Sequence, residues 1–580
     1  MEGKKYIYEE GCASDLLCES QLSLLYASMQ ERVREDSKHK ILSLFSGCGG
    51  MDLGFEGGFI APYKSVSMRP EWIKEHIKQE LKLAFLSAFI LGLLINMTIM
   101  LSDIPNHDGL DSLYFDQNLI TSGRWFLMIA CGFSSFYNVP WVIGLLGLLF
   151  LGATSATVTE LLDVKEKWAV VAISGLLVAF PALASTFAYV YTFDGYMLAL
   201  FLAVLSVLLT KKYKYGFLPG GVCLAFSMGV YQIYLSVAMI LSLFACLEHL
   251  ATETRIRDKV RKWLFYPCMG VVGAELYFIL LKILLWIQGK ELASYQGING
   301  LSEGTGQQLD WGSRIASLYR DFAAFTLKGK VMWNNGISAI LIALLFLSAM
   351  IVFIEMAIKR KWWKNPGIFA IIIGAVFLFP AVTNVILIIS PSVNYHLLMR
   401  YQWVLYLVGP VAFVSKSRKD TVVLKVAEWV TFGTVFGMIF FYGLTDNIAY
   451  TNLEKKYEKT YAYCVRLLDR IEQTEGYYQG IPIAMIGVVG EEQFPPTDYT
   501  QSVTAGMTGM YGDMLLYTGP NYQKFIQNYL GASLNILPAE AMAEMYYDEE
   551  YVDMDSFPGE NSIRIIDGIL YIKTENTTRE

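Results

Sequence analysis

Residues 83–101 read LAFLSAFILGLLINMTIML, and residues 103–125, which follow almost directly, read DIPNHDGLDSLYFDQNLITSGRW. The first stretch is apolar and long enough for a helix to cross about 30 Å of hydrocarbon. The second contains four aspartates, a histidine and an arginine. Each Asp or Arg costs about 2.5–3.5 kcal/mol at the centre of a membrane helix. The polar stretch must therefore lie outside the bilayer or line a wet cavity.

The same alternation of apolar and polar stretches continues to about residue 445. Hydrophobic residues make up 54% and charged residues 17% of the 580 residues, whereas soluble domains carry about 25% charged residues. Lysines and arginines at alternate helix ends place the amino terminus in the cytoplasm. We predict an all-α polytopic membrane protein with about eleven transmembrane helices. The predicted spans are 83–101, 138–160, 168–189, 195–210, 216–250 (split in two near Tyr231-Gln232), 263–287, 336–358, 367–390, 401–415 and 421–445.

The polar stretch after the first span holds the best candidates for catalysis. Transfer of a sugar to a hydroxyl group needs a carboxylate that takes up the hydroxyl proton. It also needs cationic or donor groups that stabilise a leaving phosphate. Asp108 and Asp111 would share a helix face, and His107 stands beside Asp108. These three residues are the predicted catalytic groups and Arg124 a predicted phosphate ligand, with solvated loop residues or helix caps as the alternative for the aspartates.

Other polar residues stand near the outer ends of predicted spans and are predicted to contact the substrate. His396 and Arg400 lie four apart and would share a phosphate-binding helix face, although interfacial anchoring explains them equally well. Asp194 fits a helix cap equally well, and Tyr231-Gln232 fits a turn or packing feature. The eight cysteines form no close CxxC pair, so no metal site or other cofactor is assigned. A divalent metal is left open.

Residues 1–67 differ from the rest and are predicted to be an appended leader. Residues 40–59 read KILSLFSGCGGMDLGFEGGF, where a strand, a glycine turn and a helix start could approach a nucleotide-like ligand. This string resembles the first motif of DNA cytosine-5 methyltransferases. The nucleophile loop of that family is missing, because Pro267-Cys268 lies in an apolar helix, so methylation and use of S-adenosylmethionine are not expected. The residues that this resemblance implies as a vestigial cofactor site are Phe45, Gly47, Gly49 and Gly50.

The sequence predicts a transmembrane domain over residues 68–445. After it, residues 446–580 are predicted to form a small extracytoplasmic α/β domain. Acidic residues outnumber basic ones by 20 to 9 over residues 447–580. Apolar residues from Leu453 to Ile471 recur at helical spacing. Residues 481–489 are typical of a buried strand, and residues 563–573 of a hairpin around Asp567-Gly568. The sequence of this domain indicates no catalytic constellation.

Four short motifs resemble the bacterial type II Gtr glucosyltransferases, which modify O-antigen. The resemblance covers about residues 68–575. It implies a GT-C-like fold, a polyprenyl-phosphate-linked glucose donor and a surface glycan acceptor on the outer face of the bacterial cytoplasmic (inner) membrane. That family often has two adjacent acids in the first loop, whereas Gly109 follows Asp108 here, which leaves the second acid open. The motifs are Asn106-His107-Asp108, Gly123-Arg124-Trp125, residues 189–194 and Tyr231-Gln232.

Two other functions compete with glycosyl transfer. A transporter or flippase for lipid-linked sugars would often show internal repeats and helices broken near the midplane, and no clear repeat is present. DNA methylation would depend on the leader motif alone. Because no domain is strongly basic, nucleic acid is not an expected partner. The lipid bilayer, the lipid-linked donor and the glycan are the expected partners.

Overall fold

The computed structural model describes residues 78–110, 120–132, 134, 139–252, 256–292, 311–329, 336–362, 366–389, 393–486, 489, 494 and 503–574. Residues 79–580 form one compact unit and residues 1–78 another. Asp111 and the leader motif with its vestigial cofactor site lie outside the described residues. The predicted domain boundaries at 67/68 and 445/446 stay predictions.

Apolar helices dominate the amino-terminal half of the large unit, as the hydropathy of the sequence predicts. Two very short helices follow the first long helix: one, His107–Leu110, lies in the polar stretch, and the other, Leu127–Cys131, begins just after it. The helices described up to residue 252 are α1 (Gln79–Leu101), α2 (His107–Leu110), α3 (Leu127–Cys131), α4 (Pro140–Leu161), α5 (Lys167–Ala179), α6 (Pro181–Phe187), α7 (Phe193–Lys212), α8 (Phe217–Val230) and α9 (Leu235–Thr252).

The second half continues with helices of more varied length. The chain forms a 3₁₀ segment, Leu397–Val404, directly before the helix that begins at Leu405. α16 is the longest described helix, with 51 residues, and it runs through the predicted boundary at residue 446 without a break. The helices are α10 (Ile256–Gln288), α11 (Trp311–Lys328), α12 (Gly336–Lys359), α13 (Pro366–Thr383), α14 (Ile386–Ile389), α15 (Leu405–Ser415) and α16 (Val422–Glu472).

Among the described residues, eight helices are long and apolar enough to cross a membrane, or nine if the bent pair α5–α6 forms one span. The shorter apolar helices α8 and α13 coincide with two further predicted spans. Apolar side chains such as Leu94 (65% exposed) and Trp286 (82% exposed) cover the outside of the bundle, which is the surface that a bilayer would contact. The polytopic helical class is therefore confirmed, whereas the number of eleven spans stays a prediction.

Two breaks in the helices have clear local causes. α5 and α6 meet at an angle of 44°, because Pro181 has no N–H to continue the hydrogen-bond ladder. α8 ends at Val230, and Tyr231 adopts an extended conformation with φ −157° and ψ 117° before α9 begins. The predicted break near Tyr231-Gln232 is thus confirmed, and Gln232 is partly exposed at this break.

Small residues let the helices approach closely, as in other membrane bundles. A Cβ atom on Gly147 would lie 2.3 Å from the Phe193 ring, and one on Gly175 would lie 2.5 Å from Ile439. Substitution of either glycine would therefore push α4 from α7 or α5 from α16.

Ion pairs gather where α7 and α15 end and α16 begins. Lys211 lies 2.5 Å from a Glu248 oxygen, Lys416 lies 3.1 Å from the other oxygen, and Lys419 lies 2.7 Å from Glu428. Several lysines thus mark one end of the bundle, which is the end that the sequence assigns to the cytoplasm.

The carboxy-terminal region contains a small four-stranded sheet. Its strand order is β2-β1-β4-β3, with β1 parallel to β2 and to β4 and with β3 antiparallel to β4. Asp567 and Gly568 both have positive φ, at 48° and 80°, as a tight two-residue hairpin requires. The predicted helix, strand and hairpin are confirmed. The elements are β1 (Pro482–Ile486), α17 (Gly519–Phe525), β2 (Asn535–Ile536), α18 (Ala539–Met542), α19 (Glu549–Val552), β3 (Ile563–Ile566) and β4 (Ile569–Lys573).

Asp446, in α16, gives a prediction about stability. It is fully buried, and neither carboxyl oxygen has a hydrogen-bond partner among the described residues. Burying an ionisable group without a partner costs more than burying a neutral amide. We expect Asp446→Asn to raise the midpoint of thermal unfolding in detergent, read by the reaction of a thiol dye with buried cysteines. The control Asp420→Asn, at a surface ion pair, should change the midpoint little. A lower midpoint for Asp446→Asn would contradict the unpaired carboxyl.

Candidate active site

The polar stretch at residues 103–125, here called the aspartate loop, begins with a short turn directly after α1. The Asn106 side chain accepts a hydrogen bond from the backbone N–H of Asp108 at 3.0 Å, and the Asn106 carbonyl accepts one from Leu110 at 3.0 Å. Asn106 itself is buried. An asparagine in this role caps one helical turn, so the backbone that carries His107 and Asp108 is fixed while their side chains stay partly open.

The His107 and Asp108 side chains lie next to each other and are both partly exposed. His107 Nε2 lies 3.3 Å from Asp108 Oδ1, and the two side chains are 27% and 26% exposed. The His107 ring meets the Tyr517 ring edge-on at 4.9 Å and the Tyr189 ring at 6.4 Å. The carboxylate therefore has an orienting neighbour and remains accessible to a substrate.

The protonation of the groups around Asp108 follows from their surroundings. Burial lowers the pKa of His107, Asp108 partly offsets this, and Lys456 lowers it further. Burial, and after it the charge of Asp108, raises the pKa of Tyr189. At neutral pH the imidazole is therefore neutral and the phenol protonated, and the imidazole can donate a hydrogen bond from Nε2 toward Asp108.

Arg124 packs against a pair of stacked tyrosine rings. The Arg124 guanidinium stands over the Tyr231 ring at 4.7 Å from its centroid. The Tyr196 ring also stacks on the Tyr231 ring, with the ring centroids 4.9 Å apart and an angle of 16° between the ring planes. The cation–π contact keeps Arg124 and Tyr231 together, whereas their role in substrate binding stays a prediction.

Gln232 supports the turn that carries Arg124. Its Nε2 donates to the Ser122 carbonyl at 3.3 Å and contacts the Tyr277 hydroxyl at 3.0 Å. That hydroxyl donates to the Gly123 carbonyl at 3.0 Å. Gly123 has φ +77°, and a Cβ there would lie within 2.6 Å of both side chains, so glycine is required. The structure thus places Gln232 as a support of the turn.

Asp194 lies apart from the accessible groups. It is 1% exposed, Ser134 Oγ donates to one carboxyl oxygen, and the backbone N–H of Gly195 donates to the other at 2.9 Å. Both oxygens are thus satisfied by the protein in the first turn of α7. The N-cap residue of α7 is Thr192, so Asp194 is not the N-cap but stabilises the first turn from inside the helix.

Arg400 forms a second polar centre at the kink of the 3₁₀ segment. Its Nη1 and Nη2 donate to the two oxygens of Asp321 at 2.8 and 2.9 Å, and its Nε donates to the Tyr395 carbonyl at 3.2 Å. The guanidinium also lies over the rings of Tyr395 and Phe325. These contacts use three of the five N–H groups of an arginine, so within the described part of the chain two are left for a ligand. Its position is fixed from both faces.

A cavity of about 410 Å³ lies in front of Arg400. Burial, and the charge of Arg400, lower the pKa of His396. Burial raises the pKa of Tyr395. The cavity therefore offers a fixed cation and neutral donors, which suits an anionic group such as a phosphate. Its walls are Phe325, Gly329, Tyr395, His396, Leu397, Arg400, Ala505, Gly506, Thr508 and Tyr511.

Residues 503–517, here called the bridging segment, connect the two centres. At one end, Thr508 Oγ1 accepts a hydrogen bond from the Leu397 N–H at 3.0 Å. Gly509 packs so closely on Ala188 that a Cβ would lie 2.6 Å from it, and Tyr517 packs on His107. The aspartate loop and the Arg400 cavity are therefore neighbours at one end of the bundle.

Several of these groups were missed by the sequence reasoning. Asp321 lies on α11, between the predicted spans 263–287 and 336–358, where the sequence analysis assigned no helix. The apolar residues Leu318, Phe322 and Phe325 recur at helical spacing there, which could have signalled the helix. The bridging segment has no such periodicity. Within the described ranges, no three His, Cys, Asp or Glu side chains converge as a metal site.

A family model described as Glucosyl transferase GtrII matches residues 91–414. The chain belongs to this family. The match confirms the resemblance to type II Gtr glucosyltransferases, and it includes His107, Asp108, Arg124 and Arg400 but ends before the bridging segment. Neither a curated protein nor a solved structure matches the chain. This GtrII family member is thus a membrane glucosyltransferase.

The two partly buried histidines of this GtrII protein give a prediction about pH. Both His107 and His396 have a pKa below the ordinary 6.5, so the unfolded chain takes up protons first as the pH falls, and stability is lost below about pH 6.5. We expect the unfolding midpoint to fall from pH 7 to pH 5, and to fall less in the double variant His107→Gln, His396→Gln. An equal fall of the unfolding midpoint in the wild type and the double variant would contradict neutral histidines in the folded protein.

Proposed function

We propose that this protein transfers glucose from a polyprenyl-phosphate donor to a surface glycan on the outer face of the bacterial cytoplasmic membrane. One observation carries the proposal: an accessible carboxylate with a neutral imidazole 3.3 Å away neighbours a cavity of about 410 Å³ that contains a fixed guanidinium. Glycosyl transfer from a phosphate needs these two centres side by side.

The Arg400 cavity would hold the donor phosphate. Polyprenyl phosphate leaves as an anion, and a preorganised cation stabilises the charge that develops on its oxygen. Arg400 has two N–H groups left for this role, and Tyr395 and His396 line the same cavity. The apolar outer surface of the bundle offers a place for the lipid chain within the bilayer.

Asp108 would act as the base. As the acceptor oxygen attacks the anomeric carbon, its proton passes to an Asp108 oxygen, and the bond between the anomeric carbon and the phosphate oxygen breaks. His107 would orient the carboxylate by donating from Nε2. Asp111 remains the alternative base, because it lies outside the described residues.

The outer-face location is supported by the distribution of charge. Lys211, Lys416 and Lys419 stand at the end of α7, the end of α15 and the approach to α16. The aspartate loop follows the other end of α1 and precedes α4. Since basic residues mark the cytoplasmic side, the two polar centres would face outward.

The experiment uses the purified protein in proteoliposomes with labelled polyprenyl-phosphate glucose and the surface glycan of the source cells. We expect label to reach the glycan, and we expect none from UDP-glucose. A parallel sample with EDTA tests the open question of a divalent metal. Movement of the lipid-linked glucose between leaflets without transfer would favour the flippase, and transfer from UDP-glucose would contradict the proposed donor.

A further inference from the structure

The bridging segment is held against α16 by a clamp of three residues on one helix face. Asn452 Nδ2 donates to the carbonyls of Met510 and Gly512 at 2.7 and 3.1 Å. One turn further, Lys456 Nζ donates to the carbonyls of Gly509 and Tyr511 at 3.3 and 3.2 Å. These carbonyl contacts fix the backbone of the segment from one side.

The third clamp residue is a lysine bound to a carboxylate. Lys459 Nζ lies 2.5 Å from Asp513 Oδ1, and Asp513 is 2% exposed. On the other side of the segment, Met507 and Met510 are fully buried. A segment anchored by buried apolar side chains and by charge-assisted hydrogen bonds is rigid, so whatever it displays is held in place.

The segment displays two tyrosines toward the two polar centres. Tyr511 is 51% exposed and Tyr517 is 40% exposed. Tyr511 lines the Arg400 cavity, whereas the Tyr517 ring contacts His107 at 4.9 Å. Each tyrosine thus places an accessible aromatic ring on a fixed backbone at one of the two centres.

Sugar rings suit these two positions chemically. A pyranose has a face of C–H groups that packs on an aromatic ring, while its hydroxyls bond to polar neighbours. An amphipathic ring such as tyrosine provides both the apolar face and a hydroxyl. With the donor phosphate at Arg400 and the base at Asp108, Tyr511 borders the donor sugar and Tyr517 borders the acceptor.

We propose that the bridging segment holds both sugars of the reaction, with Tyr511 stacking on the glucose of the donor and Tyr517 stacking on the sugar of the acceptor glycan. This inference rests on the proposed function. It assigns sugar recognition to a part of the chain beyond the family match at 91–414. It also explains why α16 continues past the bilayer to carry the clamp.

The donor half is tested by equilibrium binding to the purified full chain in detergent. Wild-type protein should bind polyprenyl-phosphate glucose more tightly than polyprenyl phosphate. Tyr511→Ala should lose that preference, about tenfold, because only the sugar contact is removed. Tyr511→Phe and the control Tyr478→Ala, at an exposed tyrosine outside the segment, should keep it. An unchanged preference in Tyr511→Ala, or no preference in wild type, would overturn this half.

The acceptor half is tested with fluorescent oligosaccharides released from the surface glycan of the source cells. Anisotropy should show about tenfold weaker binding to Tyr517→Ala, with near wild-type binding to Tyr517→Phe, Tyr511→Ala and Tyr478→Ala. Absent binding to wild type, or equal binding to Tyr517→Ala, would overturn this half. Neither assay requires turnover, so failure of glucose transfer in the proteoliposomes is a separate result.

Discussion

Asp108→Asn is expected to lower glucose transfer by about 10²–10⁴-fold, the usual contribution of a positioned general base. The amide keeps the size of the side chain and leaves the Asn106 contact to the Asp108 backbone N–H intact. Insertion and the unfolding midpoint should therefore stay near wild type. The loss should appear in kcat with little change in the KM for the donor, because the phosphate contacts lie at Arg400.

The matched control for this variant is Asp103→Asn in the same loop. Asp103 is exposed and makes no contact with the His107 pair among the described hydrogen bonds and ion pairs, so transfer should stay near wild type. Asp111→Asn separates the two candidate bases. Loss of transfer in Asp111→Asn with near wild-type transfer in Asp108→Asn would move the catalytic role to Asp111. Near wild-type transfer in both variants would contradict a base in this loop.

Arg400→Ala is expected to lower kcat/KM for the donor by about 10²–10³-fold, the effect of removing a preorganised group from a developing anion. Arg400→Lys keeps the charge but cannot make the bidentate pair with Asp321, so its activity should lie between those of alanine and wild type. Asp321→Asn should weaken the donor step less than Arg400→Ala, because it releases the guanidinium without removing it. Rates at several donor concentrations measure all three.

The control for the arginine series is Arg320→Ala, on the helix that carries Asp321. Arg320 is exposed and neighbours Asp321 in sequence, so its removal tests whether loss of any positive charge near α11 affects transfer. It should leave the donor KM near wild type. If Arg400→Ala folds and transfers glucose like Arg320→Ala, the phosphate site lies elsewhere.

The membrane helices were predictable from sequence because the bilayer imposes one strong rule. A spanning segment must be apolar and about 20 residues long, and the run at 83–101 meets this rule in full. The break at Tyr231 was predictable for the same reason, since residues 216–250 are too long for one upright span. In the carboxy-terminal region, Asp567-Gly568 predicted the hairpin, because the preference of Asp-Gly for a two-residue turn is local to those residues.

The arrangement of the site was only partly predictable, because its partners are distant in sequence. His107 and Asp108 are adjacent, and their contact follows from that. Asp321 and Arg400 are 79 residues apart, and Tyr517 reaches His107 across most of the chain. Such contacts depend on how the helices pack, which local periodicity does not encode. The repeated glycines of the bridging segment indicate turns but do not predict which surface of the protein the segment contacts.

The most direct measurement for the whole account is a cryo-electron microscopy structure of Asp108→Asn with polyprenyl-phosphate glucose, since this variant should bind the donor without consuming it. The account predicts phosphate density against the Arg400 guanidinium, glucose on the Tyr511 side of the cavity, and the anomeric carbon facing residue 108. A donor head group at the lysine-rich end of the bundle, near Lys211 and Lys416, would contradict it.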